Sequence, residues 1–101
     1  MLKKILIHDK AQNELWEAYE YYELQKEELG DRLLGELYNS IRTIVEFPNT
    51  GKIMPGGQRQ FLLKRFPYGI IYSVKEESIL YILAIIHLKR KPNYWISRLH
   101  S

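Results

Sequence analysis

Apolar residues along this chain fall into three regimes. A short aliphatic run, Leu2 to Ile7 (Leu2, Lys3, Lys4, Ile5, Leu6, Ile7), reads as a first strand, and Asp9 with Gln12 three residues later can cap a following helix. In that helix Ala11, Leu15, Ala18 and Tyr22 recur at spacings of four, three and four, which stacks them on one face at helical pitch. Glu14, Glu17, Glu20 and Glu23 lie on the other side and read as a solvated acidic stripe. Leu29, Gly30 and Asp31 interrupt the pattern, and Asp31 can cap a second helix running to about Phe47, where Pro48 stops it. Its stripe is Leu34, Leu37, Ile41 and Ile44, flanked by Leu33 and Val45. The short connection between Glu28 and Asp31 predicts an antiparallel hairpin of the two helices.

Asn49 to Gln58, with Gly51, Pro55, Gly56 and Gly57, reads as a loop. From Arg59 the period becomes two. Phe61 to Lys64, Tyr68 to Val74 and Ser78 to His87 are expected as three strands, and their short links predict an antiparallel meander. The last strand is apolar on both faces, so it belongs in the sheet interior with the helices on one side. The expected fold is α+β: an N-terminal strand, a two-helix antiparallel hairpin and a three-stranded antiparallel meander in a small curved sheet, as a single domain over residues 1–101.

Composition narrows the function. Hydrophobic residues make up 46% and charged residues 27%, the balance of an ordinary globular domain. There is no Cys, so disulfides and thiolate metal sites are excluded and the cytoplasm is the expected compartment. The first eight residues are too short for a signal-peptide core, and the longest apolar run, Ile79 to Ile86, fits a strand rather than a membrane span; no membrane association is expected.

The net charge of +3 conceals a division. Residues 1–58 hold 7 Lys and Arg against 10 Asp and Glu, whereas residues 59–101 hold 8 against 2, an excess of +6.

Chemistry has a limited menu. The serines lack an elbow or a neighbouring base, His8, His87 and His100 lack metal-ligand spacing, and no phosphate-loop or dinucleotide fingerprint occurs, so no metal or cofactor is expected. What remains is Arg59, Lys64 and Arg65 beside the first meander strand, with His87, Lys89, Arg90, Lys91, Tyr94, Trp95 and Arg98 where the last strand ends. Cations beside flat rings suit RNA, with stacking worth roughly 1–3 kcal/mol per base, and equally suit a protein interface. Structural roles compete: Tyr94 and Trp95 can pack a C-terminal turn onto the sheet, Arg65 can pair with the helix acids, and His87 can be a satisfied strand-end histidine. The docking hypothesis expects these cations on one side of the sheet.

The run Arg-Phe-Pro-Tyr-Gly-Ile-Ile-Tyr at 65 to 72, the strand ending Ile-Ile-His at 85 to 87, and Lys-Arg-Lys-Pro-Asn-Tyr-Trp at 89 to 95 followed by Arg98 together resemble the RelE/ParE family of bacterial toxins. Tyr21-Tyr22, Leu29-Gly30 and Phe-Pro-Asn-Thr-Gly at 47 to 51 fit as well. The resemblance implies the toxin of a type II toxin–antitoxin pair, with a cognate antitoxin as partner and operator DNA reached only through that antitoxin. RelE-like members cut mRNA on the ribosome, and ParE-like members inhibit DNA gyrase. A RelE-like site would draw on Arg65, Arg90 and Tyr94, with His87 as an alternative acid–base group. A lysine base would have to fall roughly 3 units from about 10.4, which needs neighbouring cations or burial. The loop from Asn49 to Gln58 holds only Lys52, so the paired lysines of a cutter are missing. The long hairpin, the Pro-Asn-Thr-Gly exit and the Phe-Pro-Tyr turn look closer to the ParE side. Antitoxin or target binding is expected at Arg59, Lys64, Arg65, Lys89, Arg90, Lys91, Trp95 and Arg98.

Overall fold

A computed structural model describes residues 2–89 and 94–100. Strand β1 (Lys4–Ile7) leads into helices α1 (Asp9–Gln25) and α2 (Leu29–Glu46), followed by β2 (Lys52–Ile53), β3 (Arg59–Leu62), β4 (Tyr68–Lys75), β5 (Ile79–His87) and a 3-10 turn (Ile96–His100). The α+β order of strand, helical hairpin and meander holds. The sheet is larger than the meander, with five strands in the order β1-β5-β4-β3-β2, because β1 returns to pair parallel with β5 and the expected loop contributes β2. A tight turn makes that second addition possible: the amide of Met54 donates to the carbonyl of Gln58 at 2.7 Å, folding Lys52 and Ile53 back onto Gln60 and Arg59.

Helix α1 buries Ala11, Leu15 and Ala18 and half-buries Tyr22, as its spacing predicts. Its cap is His8 rather than Asp9: the His8 Nδ1 accepts from the Lys10 amide at 3.1 Å, and Asp9 lies within the first turn. Helix α2 starts two residues before the expected Asp31 cap. The break falls instead at residues 26–28, where Glu28 takes a left-handed φ of 72°, and Asp31 sits inside the first turn, where a negative charge complements the helix dipole. Gly30 permits this early start, since a Cβ there would come within 2.7 Å of the Tyr19 carbonyl oxygen. The buried stripe of α2 is Leu33, Leu37, Ile41 and Ile44, with Leu34 only half-buried on the flank.

The helices cover one face of the sheet, against Ile70, Tyr72, Leu80, Ile82 and Ile85. Burying each such aliphatic side chain stabilises the fold by about 1.5–3 kcal/mol. On the other face Ile71, Leu83 and Ala84 pack under Trp95, with Tyr94 beside them. Leu83 and Ala84 share that face because the register slips there: Ile71 lies opposite Ala84 but Tyr72 opposite Ile82, leaving Leu83 as the extra residue of a bulge. Strand β5 is thus covered on both sides, as its two apolar faces predict. Among the described residues no helix is long and apolar enough to cross a membrane.

Candidate functional site

Strand β1 ends before β5 does. Its pairing reaches Ile82, whose carbonyl accepts from the His8 amide at 2.9 Å, and the rest of β5 is left with an uncovered edge. Two side chains take the place of a neighbouring strand there. Glu14 Oε1 accepts from the Ile85 amide at 3.1 Å, and Arg98 Nη1 donates to the Leu83 carbonyl at 3.0 Å. Arg98 also grips Glu14 with both prongs, Nη1 to Oε1 at 2.9 Å and Nη2 to Oε2 at 3.0 Å, and the Tyr94 hydroxyl donates to Oε2 at 2.6 Å. The pair is nearly dry, with side-chain exposures of 7% and 10%. Glu14 therefore leaves the solvated stripe to which its spacing assigns it, and Glu23 does likewise by accepting from the Gly30 amide at 2.8 Å.

A second cluster fixes the exit from α2. The buried Tyr72 hydroxyl donates to the Pro48 carbonyl at 2.7 Å and accepts from the Gly51 amide at 3.0 Å. Arg59, opposite Tyr72 in the β3–β4 register, donates to the carbonyls of Asn49 at 3.2 Å and Gly51 at 2.8 Å. A Cβ on Gly51 would meet the Tyr72 hydroxyl at 2.7 Å, which accounts for the glycine closing the Pro-Asn-Thr-Gly run. Burial pushes the Tyr72 phenol up from its usual pKa of 10.0, against the opposing pull of the Gly51 amide and the Arg59 charge.

Between α2 and the turn from β3 to β4 lies an open cleft of about 960 Å³. Leu29, Phe61 and Phe66 supply apolar lining, and Arg32, Lys64 and Arg65 bring cations to it. Arg65 does not form the expected ion pair through its guanidinium; its backbone amide, with that of Lys64, donates to Glu36 of α2. Tyr22 forms one wall of the cleft, and its phenol is raised above 10.0, chiefly by burial and then by the neighbouring Tyr21.

At the end of β5, the His87 Nδ1 accepts from the Lys89 amide at 3.1 Å, and its ring stands edge-on to Tyr68 with centroids 5.0 Å apart. It borders a recess of about 190 Å³ shared with Glu14, Glu17 and Tyr21.

The expected site residues do not form one surface. Lys64 and Arg65 are exposed beside the cleft, Arg59 is half-buried with its guanidinium holding the α2 exit, and Lys89 is exposed beyond β5. Trp95 and Arg98 are buried at 3% and 7%, committed to the far face and the edge of β5, so they offer nothing to a partner in this conformation. Tyr94 packs on that far face, whereas Arg65 opens on the helical side. Arg90 and Lys91 lie outside the described residues. Sequence spacing gives no sign of Glu14, Glu36 or Tyr72 as organising residues, since Glu14 meets Arg98 across 84 positions and Glu36 meets Lys64 across 28.

Residues 5–92 match the family model described as the ParE toxin of type II toxin–antitoxin systems, parDE. Two curated relatives, each named toxin ParE2 and drawn from the CDC 1551 / Oshkosh and ATCC 25618 / H37Rv strains of Mycobacterium tuberculosis, are 28% identical over 94 residues, which span 92% of this chain and 89% of theirs. Among solved structures, a chain of the chromosomal ParDE TA system from P. aeruginosa superposes with a TM-score of 0.74 at 22% identity, covering 88% of this chain and 98% of that one. That likeness carries the fold.

Proposed function

Since the chain belongs to the ParE toxin family of type II toxin–antitoxin systems, we propose that it arrests growth in the cytoplasm by binding and inhibiting DNA gyrase, and that its own side chains break no bond in nucleic acid. The observation that carries this reading is the commitment of Tyr94. Its hydroxyl donates to the Glu14 carboxylate at 2.6 Å at the edge of β5, while Arg65 sits on the turn from β3 to β4 beside the cleft. General acid–base cleavage of RNA needs such groups within hydrogen-bond reach of one scissile phosphate. Tyr94 is engaged at the edge of β5 and Arg65 borders the cleft beside α2, whereas a docking protein has no need to bring them together.

An antitoxin neutralises the toxin by laying an acidic, amphipathic segment in the cleft beside α2. The cleft supports this through its apolar lining and its three cations, and the excess of +6 in residues 59–101 favours an acidic partner. The pair then acts as its own repressor, with the antitoxin reading the operator and this chain contributing no base contact.

Purified protein added to a gyrase supercoiling reaction, and separately to translating ribosomes followed by primer extension, tests the proposal. Blocked supercoiling with intact mRNA is expected. Codon-phased cuts that disappear with Arg90→Ala or Tyr94→Phe would reassign the chain to RNA cleavage.

A further inference from the structure

The turn from β3 to β4 holds a negative charge in an unusual way. Two successive amides, those of Lys64 and Arg65, donate to a single oxygen, Oε2 of Glu36, the second at 3.2 Å. Adjacent N–H groups converging on one oxygen make an anion-binding concavity. Three cationic side chains line the same cleft, with Arg32 four residues before Glu36 on α2 and Lys64 and Arg65 on the turn. Among the described residues, no carboxylate stands within ion-pair distance of any of the three. The cleft therefore presents one carboxylate held by backbone amides and three cations, none of them in an ion pair.

We propose that Glu36 is a resident substitute for a carboxylate of the antitoxin. An acidic side chain of the docking segment takes over the Lys64 and Arg65 amides, Glu36 rotates out to solvent, and the competition between the two sets the strength of the complex. This rests on the reading of the cleft as the antitoxin seat and adds the contact that regulates it. The ligand chemistry is a carboxylate on an amphipathic protein segment rather than a phosphate. Leu29, Phe61 and Phe66 give such a segment apolar partners beside the anion position, which a sugar–phosphate backbone could not use. A state in which Glu36 occupies the amides cannot accept the ligand, so apparent affinity is reduced by the fraction of molecules held in that state.

The probe is a synthetic helical peptide with Leu and Glu at alternating three- and four-residue spacing, titrated into the isolated chain by calorimetry and by amide NMR. Glu36→Gln keeps an oxygen that can accept from both amides, so the turn stays folded while the competing charge is removed. The peptide is expected to bind Glu36→Gln roughly tenfold more tightly than the wild type, to move the Lys64 and Arg65 amide resonances, and to weaken with Arg65→Gln. Equal affinity for the wild type and Glu36→Gln would overturn the proposal, as would binding that leaves those two resonances in place. So would inorganic phosphate perturbing the same amides at concentrations as low as the peptide does. An antitoxin that binds both forms equally well removes the exchange and leaves the seat intact. A peptide that seats as described, with an antitoxin that binds neither form, removes the antitoxin reading and leaves the exchange standing.

Discussion

Arg98 and Glu14, 84 positions apart, close the exposed edge of β5 as a two-pronged ion pair, with Nη1–Oε1 and Nη2–Oε2 at 2.9 and 3.0 Å. Their partners are the backbone groups a sixth strand would have used, the Leu83 carbonyl and the Ile85 amide. The pair satisfies buried polar groups and denies other chains an open edge. It also ties down the C-terminal turn whose Trp95 covers Ile71, Leu83 and Ala84.

Removing one member of so dry a pair strands the other. Arg98→Met is expected to lower the unfolding free energy by about 3–5 kcal/mol, read from urea denaturation. Adding Glu14→Leu should restore part of that loss, because the stranded charge goes with it. A cost well under 1 kcal/mol for Arg98→Met would mean that the pair is solvated in solution.

Tyr72 offers a second test, through the backbone it holds. Tyr72→Phe leaves the Pro48 carbonyl and the Gly51 amide without their partner, each costing about 1–3 kcal/mol if it stays dry. Hydrogen exchange at Gly51 should accelerate well beyond that of amides in β5. Unchanged exchange at Gly51 would show that the loop is fastened elsewhere.

The same phenol predicts a pH response. Its pKa is raised in the folded protein by burial, so the folded state keeps its proton where the unfolded chain, titrating near 10, has begun to lose it. The resulting stability is complete below about pH 10 and is lost as pH rises through the folded value. Chemical denaturation measured across that window should fall more steeply for the wild type than for Tyr72→Phe. Parallel curves would assign the alkaline loss to other groups.

At the cleft the fold uses the Lys64 and Arg65 amides and leaves their side chains exposed. Lys64→Glu with Arg65→Glu should therefore change thermal stability little and weaken antitoxin binding at least roughly tenfold, with the loss shrinking as salt rises. Calorimetry at two salt concentrations checks both parts. Full affinity in the double variant would place the antitoxin elsewhere.

Much of the fold can be read from periodicity, because Ala11, Leu15 and Ala18, then Leu37, Ile41 and Ile44, repeat at helical pitch, and β5 is apolar on both sides. What could not be read depends on tertiary closure. Strand β2 pairs with β3 across a turn closed by the Met54 amide on the Gln58 carbonyl, and the cap of α1 is a His8 ring whose intrinsic preference is weak beside that of Asp9. At the cleft, charge and aromatic content single out Lys64 and Arg65, which the fold leaves exposed. The same composition cannot separate them from Arg98, which meets its acid only after the whole chain has folded.

The proposed inhibition by occupying gyrase is measured most directly by the stoichiometry of supercoiling inhibition. Relaxed plasmid and purified gyrase are titrated with the wild type and with His87→Ala, the variant lacking the strand-end acid–base group. Supercoiling is expected to stop as the protein approaches equimolar with gyrase, with both proteins giving the same curve. Undiminished supercoiling in molar excess, joined to mRNA cleavage that His87→Ala abolishes, would contradict it.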